Sequence, residues 1–260
     1  MKIIAIALVP LFMAVAGCKA QQIAKANPPT RNESTARKSK ACAFNSTRHK
    51  IAFDEKLSTI GIMLFDDVLM TEVTAPIDVF SKPRENGTKV FNVVTVAESL
   101  QPVATESGLR ILPDYTFADC PQLTVLVVPS AYDMSKAVRN SEMVRFIKKQ
   151  NGKSDFTMSN CAGAQLIGES GIANGRKIVT YIGGGKELKK NYPALSVQDD
   201  QTISFVEDGK FLSSNGNLAS YISALNLLEK MSEKKHREFV ESYLYLDRLT
   251  NWDKLRSHHK

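Results

Sequence analysis

The chain is poor in the residues from which metal and cofactor sites are usually built. Its 260 residues hold four cysteines and four histidines. The cysteines stand at 18, 42, 120 and 161, with no C-x-x-C pair and no Cys/His ligand spacing, so neither a metal nor a cofactor is expected. The histidines are His49, His236, His258 and His259, and none falls between residues 57 and 230. A cysteine–histidine dyad with its usual general base is therefore excluded from the central chain unless His236 folds back. After residue 16 no apolar run approaches the ~18 residues of a spanning helix. Internal repeats are absent. So is any basic excess beyond the N-terminal region: residues 1–50 carry nine of the 34 Lys/Arg and one of the 27 Asp/Glu, which leaves 25 basic and 26 acidic residues for the rest. The net charge of +7 thus belongs to the first fifth of the chain, and with no recognisable nucleic-acid motif no nucleic-acid partner is expected.

That N-terminal fifth reads as targeting followed by tether. Lys2 precedes an almost wholly apolar stretch, Ile3 to Ala16, of signal-peptide length. Val15-Ala16-Gly17-Cys18 resembles a bacterial lipobox, which implies cleavage after residue 17 and lipidation of Cys18; an ordinary secretory signal followed by an incidental cysteine is the alternative. Residues 1–17 are then a lipoprotein signal peptide and residues 18–56 a basic, flexible tether of Ala, Lys, Asn, Ser and Thr. The expected location is the cell envelope, anchored by lipid, with Lys19 pointing to the periplasmic face of the outer membrane. A Cys42–Cys120 disulfide is compatible with an oxidising compartment but is not readable from sequence.

The rest, residues 57–231 with a helical extension over 232–260, reads as one domain. Ser58 to Phe65 and Leu123 to Val128 are continuous apolar runs, expected as buried strands. Lys89 to Val96, Asp155 to Ser159 and Lys177 to Tyr181 are further expected strands, and residues 205–212 a hairpin about Asp208-Gly209. Helical spacing marks Thr71 to Phe80, Ser141 to Lys149, Leu218 to Met231 and His236 to Arg248. Strands alternating with helices predict a doubly wound, mainly parallel α/β sheet with helices on both faces, whose sites lie at the C-terminal strand ends. Asp66-Asp67 with Glu72, the loop Pro129-Ser130-Ala131-Tyr132, and Cys161 converge there.

Cys161 is the most informative residue. Phe156-Thr157-Met158-Ser159-Asn160-Cys161-Ala162-Gly163-Ala164 passes from a β-prone run to a helix-prone one through small residues. This spacing predicts a sharp strand-to-helix turn with a thiol at its apex, where the helix dipole favours thiolate. A buried structural cysteine is the other reading.

Five segments, in order over residues 58–230, resemble the DJ-1/PfpI superfamily, in particular its isonitrile-hydratase-like and transcription-regulator-like branch. They are Gly61 to Asp67 with Thr71 to Phe80; Ser107-Gly108-Leu109-Arg110-Ile111-Leu112-Pro113-Asp114; Val127-Val128-Pro129; Cys161-Ala162-Gly163-Ala164; and Gly171 to Arg176 with Thr180 and Ser213-Ser214-Asn215-Gly216. The resemblance implies a flavodoxin-like fold with a cysteine nucleophile elbow. It makes Cys161 the reactive cysteine and Glu72 its partner acid, protonated through burial. It makes the amides of Ala131 and Ala162 oxyanion donors and Ser130, Asn160 and Tyr181 pocket residues. Two departures stand out. Thr180-Tyr181 occupies the place of a Thr-His pair, and Ser130-Ala131 that of Gly-Gly. Tyr181 is readable as pocket or core, and Asn160 as pocket or turn.

The function implied is attack on a small electrophile by Cys161 with Glu72 carrying the proton: hydration in the manner of isonitrile hydratases, or a glyoxalase or deglycase variant, whereas a peptidase is disfavoured. The alternatives are a redox-sensing or ligand-binding lipoprotein and, more weakly, a structural one. A homodimer is implied, with Tyr243, Leu244, Tyr245 and Leu246 as one means; their packing on the chain's own core is the competing reading.

Overall fold

The structure is a computed structural model that describes residues 53–246. The leader, Cys18, most of the tether, Cys42 and the chain beyond 246 lie outside the described residues.

Fully apolar strands need cover on both faces, and the sheet supplies the layers that this requires. Strand β1 (Ser58–Met63) is flanked by β2 (Phe91–Ala97) and β6 (Val125–Val128), all parallel. β6 pairs with β7 (Phe156–Asn160), β7 with β11 (Phe211–Ser214), and β2 with the short edge strand β5 (Tyr115–Thr116), again parallel. Only β10 (Phe205–Asp208) runs antiparallel, hairpinned to β11 through Gly209 at φ 63°. The seven strands lie in the order β10-β11-β7-β6-β1-β2-β5. This is the mainly parallel sheet anticipated from the alternating pattern, and it has the flavodoxin-like arrangement that the family resemblance implies. Two small accessory pairs complete the strands among the described residues: β3 (Val103–Ala104) with β4 (Arg110–Ile111), and β8 (Lys177–Ile178) with β9 (Ser196–Val197).

Strand periodicity of two sorts the core into two layers. Val125 and Val127 of β6 point to one side with Ile60 and Ile62; there they meet α1 (Met70–Phe80), α6 (Ala219–Met231) and α7 (Lys234–Tyr243). Leu126 and Val128 point to the other side, against α3 (Ser141–Asn151) and α4 (Gly163–Ser170). Two short helices, α2 (Ser135–Arg139) and α5 (Gly185–Asn191), were not legible in the sequence, being 5 and 7 residues long. The expected strand at Lys177 to Tyr181 is only two residues long and lies outside the main sheet: Val179 N–H donates to Ser213 Oγ at 2.9 Å instead of to a neighbouring strand. Helix α7, the last among the described residues, ends at Tyr243, with Tyr243 and Tyr245 exposed, Leu244 half-buried and Leu246 buried on the core.

Three features of the helices aim the site. The first N–H of α1, Met70, has no cap from its own flank and is held by Glu106 Oε2 at 2.8 Å, from the loop joining β3 and β4. Pro76, inside α1, has no N–H to give to the carbonyl of Glu72. Gly163, at the start of α4, is glycine because a Cβ there would collide with the carbonyl oxygens of Val128 and Pro129. The helix therefore begins hard against the end of β6.

Candidate active site

Cys161 follows the last residue of β7 and has φ 52°, a left-handed conformation that a non-glycine residue adopts at some strain. The turn is held from behind by Cys161 N–H to Ser214 O at 2.9 Å and by Thr180 Oγ donating to Cys161 O at 2.9 Å. Asn215 Nδ2 in turn ties Thr180 O at 2.6 Å. The β6–β7 register pairs Val128 with Ser159, which brings Ser130 alongside Cys161.

Glu72 is completely buried, although it lies in the first turn of α1. Its Oε2 accepts Ser130 N–H at 2.7 Å. Its Oε1 has no well-formed hydrogen bond, although Asn217 N–H lies near enough to act on the charge. Burial dominates these donors and pushes the carboxyl up from 4.5 to about 7. Gly216 certifies how closely acid and thiol approach each other. A Cβ there would lie 2.5 Å from the Cys161 Cβ and closer still to Glu72 Oε1, and φ at Gly216 is 86°.

The thiol departs from the expectation of a ready thiolate. Burial first, and the Glu72 carboxylate second, push Cys161 up to about 12, against the lowering effect of the Ser130 hydroxyl and the Ala162 N–H. The helix start contributes as anticipated, but half-burial of the sulfur outweighs it. The Glu72 contribution vanishes when that carboxyl is protonated. The resting pair is thus a neutral thiol beside an acid that titrates near neutrality.

The other anticipated residues divide. Ala162 N–H addresses the sulfur. Ser130 Oγ is fully buried and acts on both Glu72 and Cys161 without a well-aligned hydrogen bond to either. The Ala131 N–H, expected as a free oxyanion donor, instead donates to Met134 Sδ at 3.1 Å. Asn160 does not line a pocket: it is fully buried, and its Oδ1 accepts Ser214 Oγ at 2.8 Å and Ser223 Oγ at 3.4 Å beneath the elbow. Tyr181 is half-buried beside Gly184, with its phenol engaged by Glu187 and within the electrostatic reach of Cys161. Gly216, Asn217 and Met134 were not assigned roles from sequence. Gly216 closes the quoted run Ser213 to Gly216, but its contact with two distant residues is visible only in three dimensions.

A cavity of 410 Å³ opens at the C-terminal ends of β1 and β2, lined among others by Asp66, Asp67, Glu98 and Lys136; Cys161 does not line it. Cys120 is buried and pairs with no other cysteine among the described residues, and its thiol is pushed up to about 12, chiefly by burial. Among the described residues no group of three or more His, Cys, Asp or Glu is placed to hold a metal ion, and no helix is long and apolar enough to cross a membrane.

The chain has known relatives. A family model described as DJ-1/PfpI matches residues 58–230. An isonitrile hydratase of Pseudomonas putida is 28% identical over 172 residues, covering 66% of this chain and 71% of the relative. The protein dj-1beta of Drosophila melanogaster is 27% identical over 138 residues, covering 52% and 71%. Among solved structures, a ThiJ/PfpI family protein from Pseudomonas syringae superposes with a TM-score of 0.66 at 22% identity, covering 74% of this chain and 76% of that one. An AraC family transcriptional regulator from Pseudomonas putida gives 0.64 at 17%, covering 72% and 99%. The solved structures speak for the fold.

Proposed function

The chain belongs to the DJ-1/PfpI family, and from that premise we propose that Cys161 and Glu72 form the reactive pair of a small-molecule hydratase. The carrying observation is the buried carboxyl of Glu72, pushed to about 7 in contact distance of a half-buried thiol. An acid–base group is most useful when its pKa lies near the working pH. As carboxylate, Glu72 takes the Cys161 proton while Sγ bonds to the electrophilic carbon; as carboxylic acid, it returns that proton to the adduct.

On an isonitrile the atoms balance as follows. The Sγ–C bond forms, and the thiol proton, carried by Glu72, ends on that carbon to give a thioimidate. Water then adds to the same carbon, the nitrogen gains a proton, and the C–S bond breaks to regenerate the thiol and release a formamide. One water is consumed and nothing is oxidised. The Pseudomonas putida relative is an isonitrile hydratase, which supports this choice. An α-oxoaldehyde is the second substrate class suited to the same pair. The test is turnover of both classes by wild type, Cys161→Ala and Glu72→Gln. Turnover lost in both variants is expected; turnover retained in Cys161→Ala overturns the proposal.

A non-catalytic redox-sensing or ligand-binding role is the second reading. Its ligand-binding form is favoured by the thiol held near 12 and by the Ala131 amide already engaged, whereas oxidation needs the thiolate that this shift disfavours. No turnover, with stoichiometric oxidation of Cys161, would establish the redox-sensing form.

The proposed setting is a lipoprotein: residues 1–17 a cleaved signal, Cys18 lipidated, 18–56 a tether, 57–231 the family domain, 232–260 an extension, and the whole a homodimer held at the cell envelope. Mass spectrometry of the N-terminal peptide tests the anchor, and retention of the protein in the soluble fraction by wild type and Cys18→Ser alike contradicts it. Light scattering tests the dimer.

A further inference from the structure

The loop after β6 contains an arrangement that the reactive-pair reading leaves unused. Ser130 offers its N–H to Glu72 Oε2 and its carbonyl to Leu69 N–H at 2.8 Å, so its peptide is fixed on both sides. Val68 and Ala131 form an antiparallel bridge, which fixes the next residue as well. The Ala131 N–H, like that of Ser130, is spent on a side chain, but where Ser130 meets a carboxylate Ala131 meets the thioether of Met134, one of the weakest acceptors available to it. Both residues are buried, Ala131 3% exposed and Met134 4%. Solvent therefore does not compete for the amide.

We propose that Met134 is a positioning residue that holds the Ala131 amide in reserve, releasing it to the oxygen that becomes negative when Cys161 attacks a carbonyl. The inference rests on the reactive-cysteine reading and deepens it toward substrates that develop an oxyanion. A thioether is poorly matched to an N–H donor, whereas a charged oxygen forms bonds about twice as strong as neutral ones. The exchange thus favours the transition state over the resting state, which is the requirement for catalysis. Alanine at position 131, where freedom of the peptide is less than in glycine, makes a side-chain latch the means of holding and releasing the amide.

The test compares two probes of Cys161 in the full chain. Iodoacetamide alkylates sulfur by displacing iodide, and no oxyanion forms. p-Nitrophenyl acetate acylates it: the Sγ–C bond forms, the carbonyl electron pair moves to oxygen, the thiol proton passes to Glu72, and p-nitrophenolate leaves. Replacing Met134 by leucine removes the acceptor and conserves volume. A bond to a thioether lies at the weak end of neutral hydrogen bonds, about a twofold change in an equilibrium, so Met134→Leu is expected to raise the acylation-to-alkylation rate ratio about twofold. Met134→Gln supplies a better acceptor and is expected to bring the ratio to the wild-type value or below. Repacking alone would move both rates together.

An unchanged or lowered ratio in Met134→Leu overturns the inference, even with Cys161 still reactive toward both probes. Alkylation without any acylation in wild type and Met134→Leu overturns it too, because a freed amide would have supported acylation. Failure of both probes to modify Cys161 in the folded wild type instead overturns the reactive-cysteine reading itself, and this inference with it.

Discussion

Glu72 ties stability to pH with a sign opposite to that of most carboxylates. In the folded chain it titrates near 7, against an ordinary value of 4.5. Between these values the native state keeps a proton that the unfolded chain has lost. Unfolding then releases a proton, so stability falls as pH rises through this window. At about 1.4 kcal/mol for each tenfold change in proton affinity, the whole effect is about 3 kcal/mol, absent below pH 4.5 and complete above 7. Glu72→Gln keeps the side chain neutral and retains an acceptor for Ser130 N–H, so it should abolish this slope. Its amide –NH₂ would face the donor Asn217 N–H, which reduces the net gain at pH 8 to about 2 kcal/mol. Urea unfolding of wild type and Glu72→Gln at pH 5 and pH 8 measures this directly, because the other titrating groups cancel in the difference. The variant should gain stability relative to wild type between the two pH values. Parallel pH dependences in the two proteins would refute the buried-acid argument.

Other outcomes follow from the same geometry. Iodoacetamide should modify Cys161 slowly at pH 7 and faster above pH 9, and Glu72→Gln should shift that profile to lower pH by removing the carboxylate's repulsion; an unmoved profile would contradict their coupling. Gly216→Ala should destabilise the fold by about 2–4 kcal/mol and displace Cys161, since the added Cβ meets both site residues at a positive φ; a wild-type melting temperature with wild-type alkylation would count against the packing described. Arg237, 10% exposed at its side chain, pairs with Glu241 at 2.9 Å and Glu229 at 2.6 Å. Arg237→Leu breaks the buried ion pair with Glu241 and should cost about 3 kcal/mol, read by denaturant titration, whereas an effect under about 0.5 kcal/mol would show the pair to be idle.

How much of this was legible beforehand depended on the range over which each feature is decided. The apolar strands 58–65 and 123–128 and the helix at 71–80 declare themselves by local pattern, and alternation of the two types implies the parallel sheet. The elbow at Cys161 is also local, because strand, small residues and helix follow one another in nine positions. The charge state of its thiol was not legible. The dipole argument is read from neighbours in sequence, whereas burial and the approach of Glu72 arise from segments 89 residues apart. The present partner of the Ala131 amide was not legible for a similar reason. A side chain three residues on captures its amide, and nothing in the composition of Ser130-Ala131 signals this. Asn160 alternates into the core beneath the elbow because Ser214 and Ser223, from two later elements, supply its partners. The short helices α2 and α5 carry too little period to stand out, and their positions are set by the loops they terminate.

The central claim is that the thiol of residue 161, relayed by the carboxyl of residue 72, hydrates a small electrophile. The most direct measurement is proton NMR of an alkyl isonitrile incubated with the purified chain, with Cys161→Ala as the matched control. The account predicts catalytic appearance of the formamide with wild type and none above background with the variant. Equal formamide production by the two proteins, or none by a wild type whose Cys161 is reduced and folded, would contradict it.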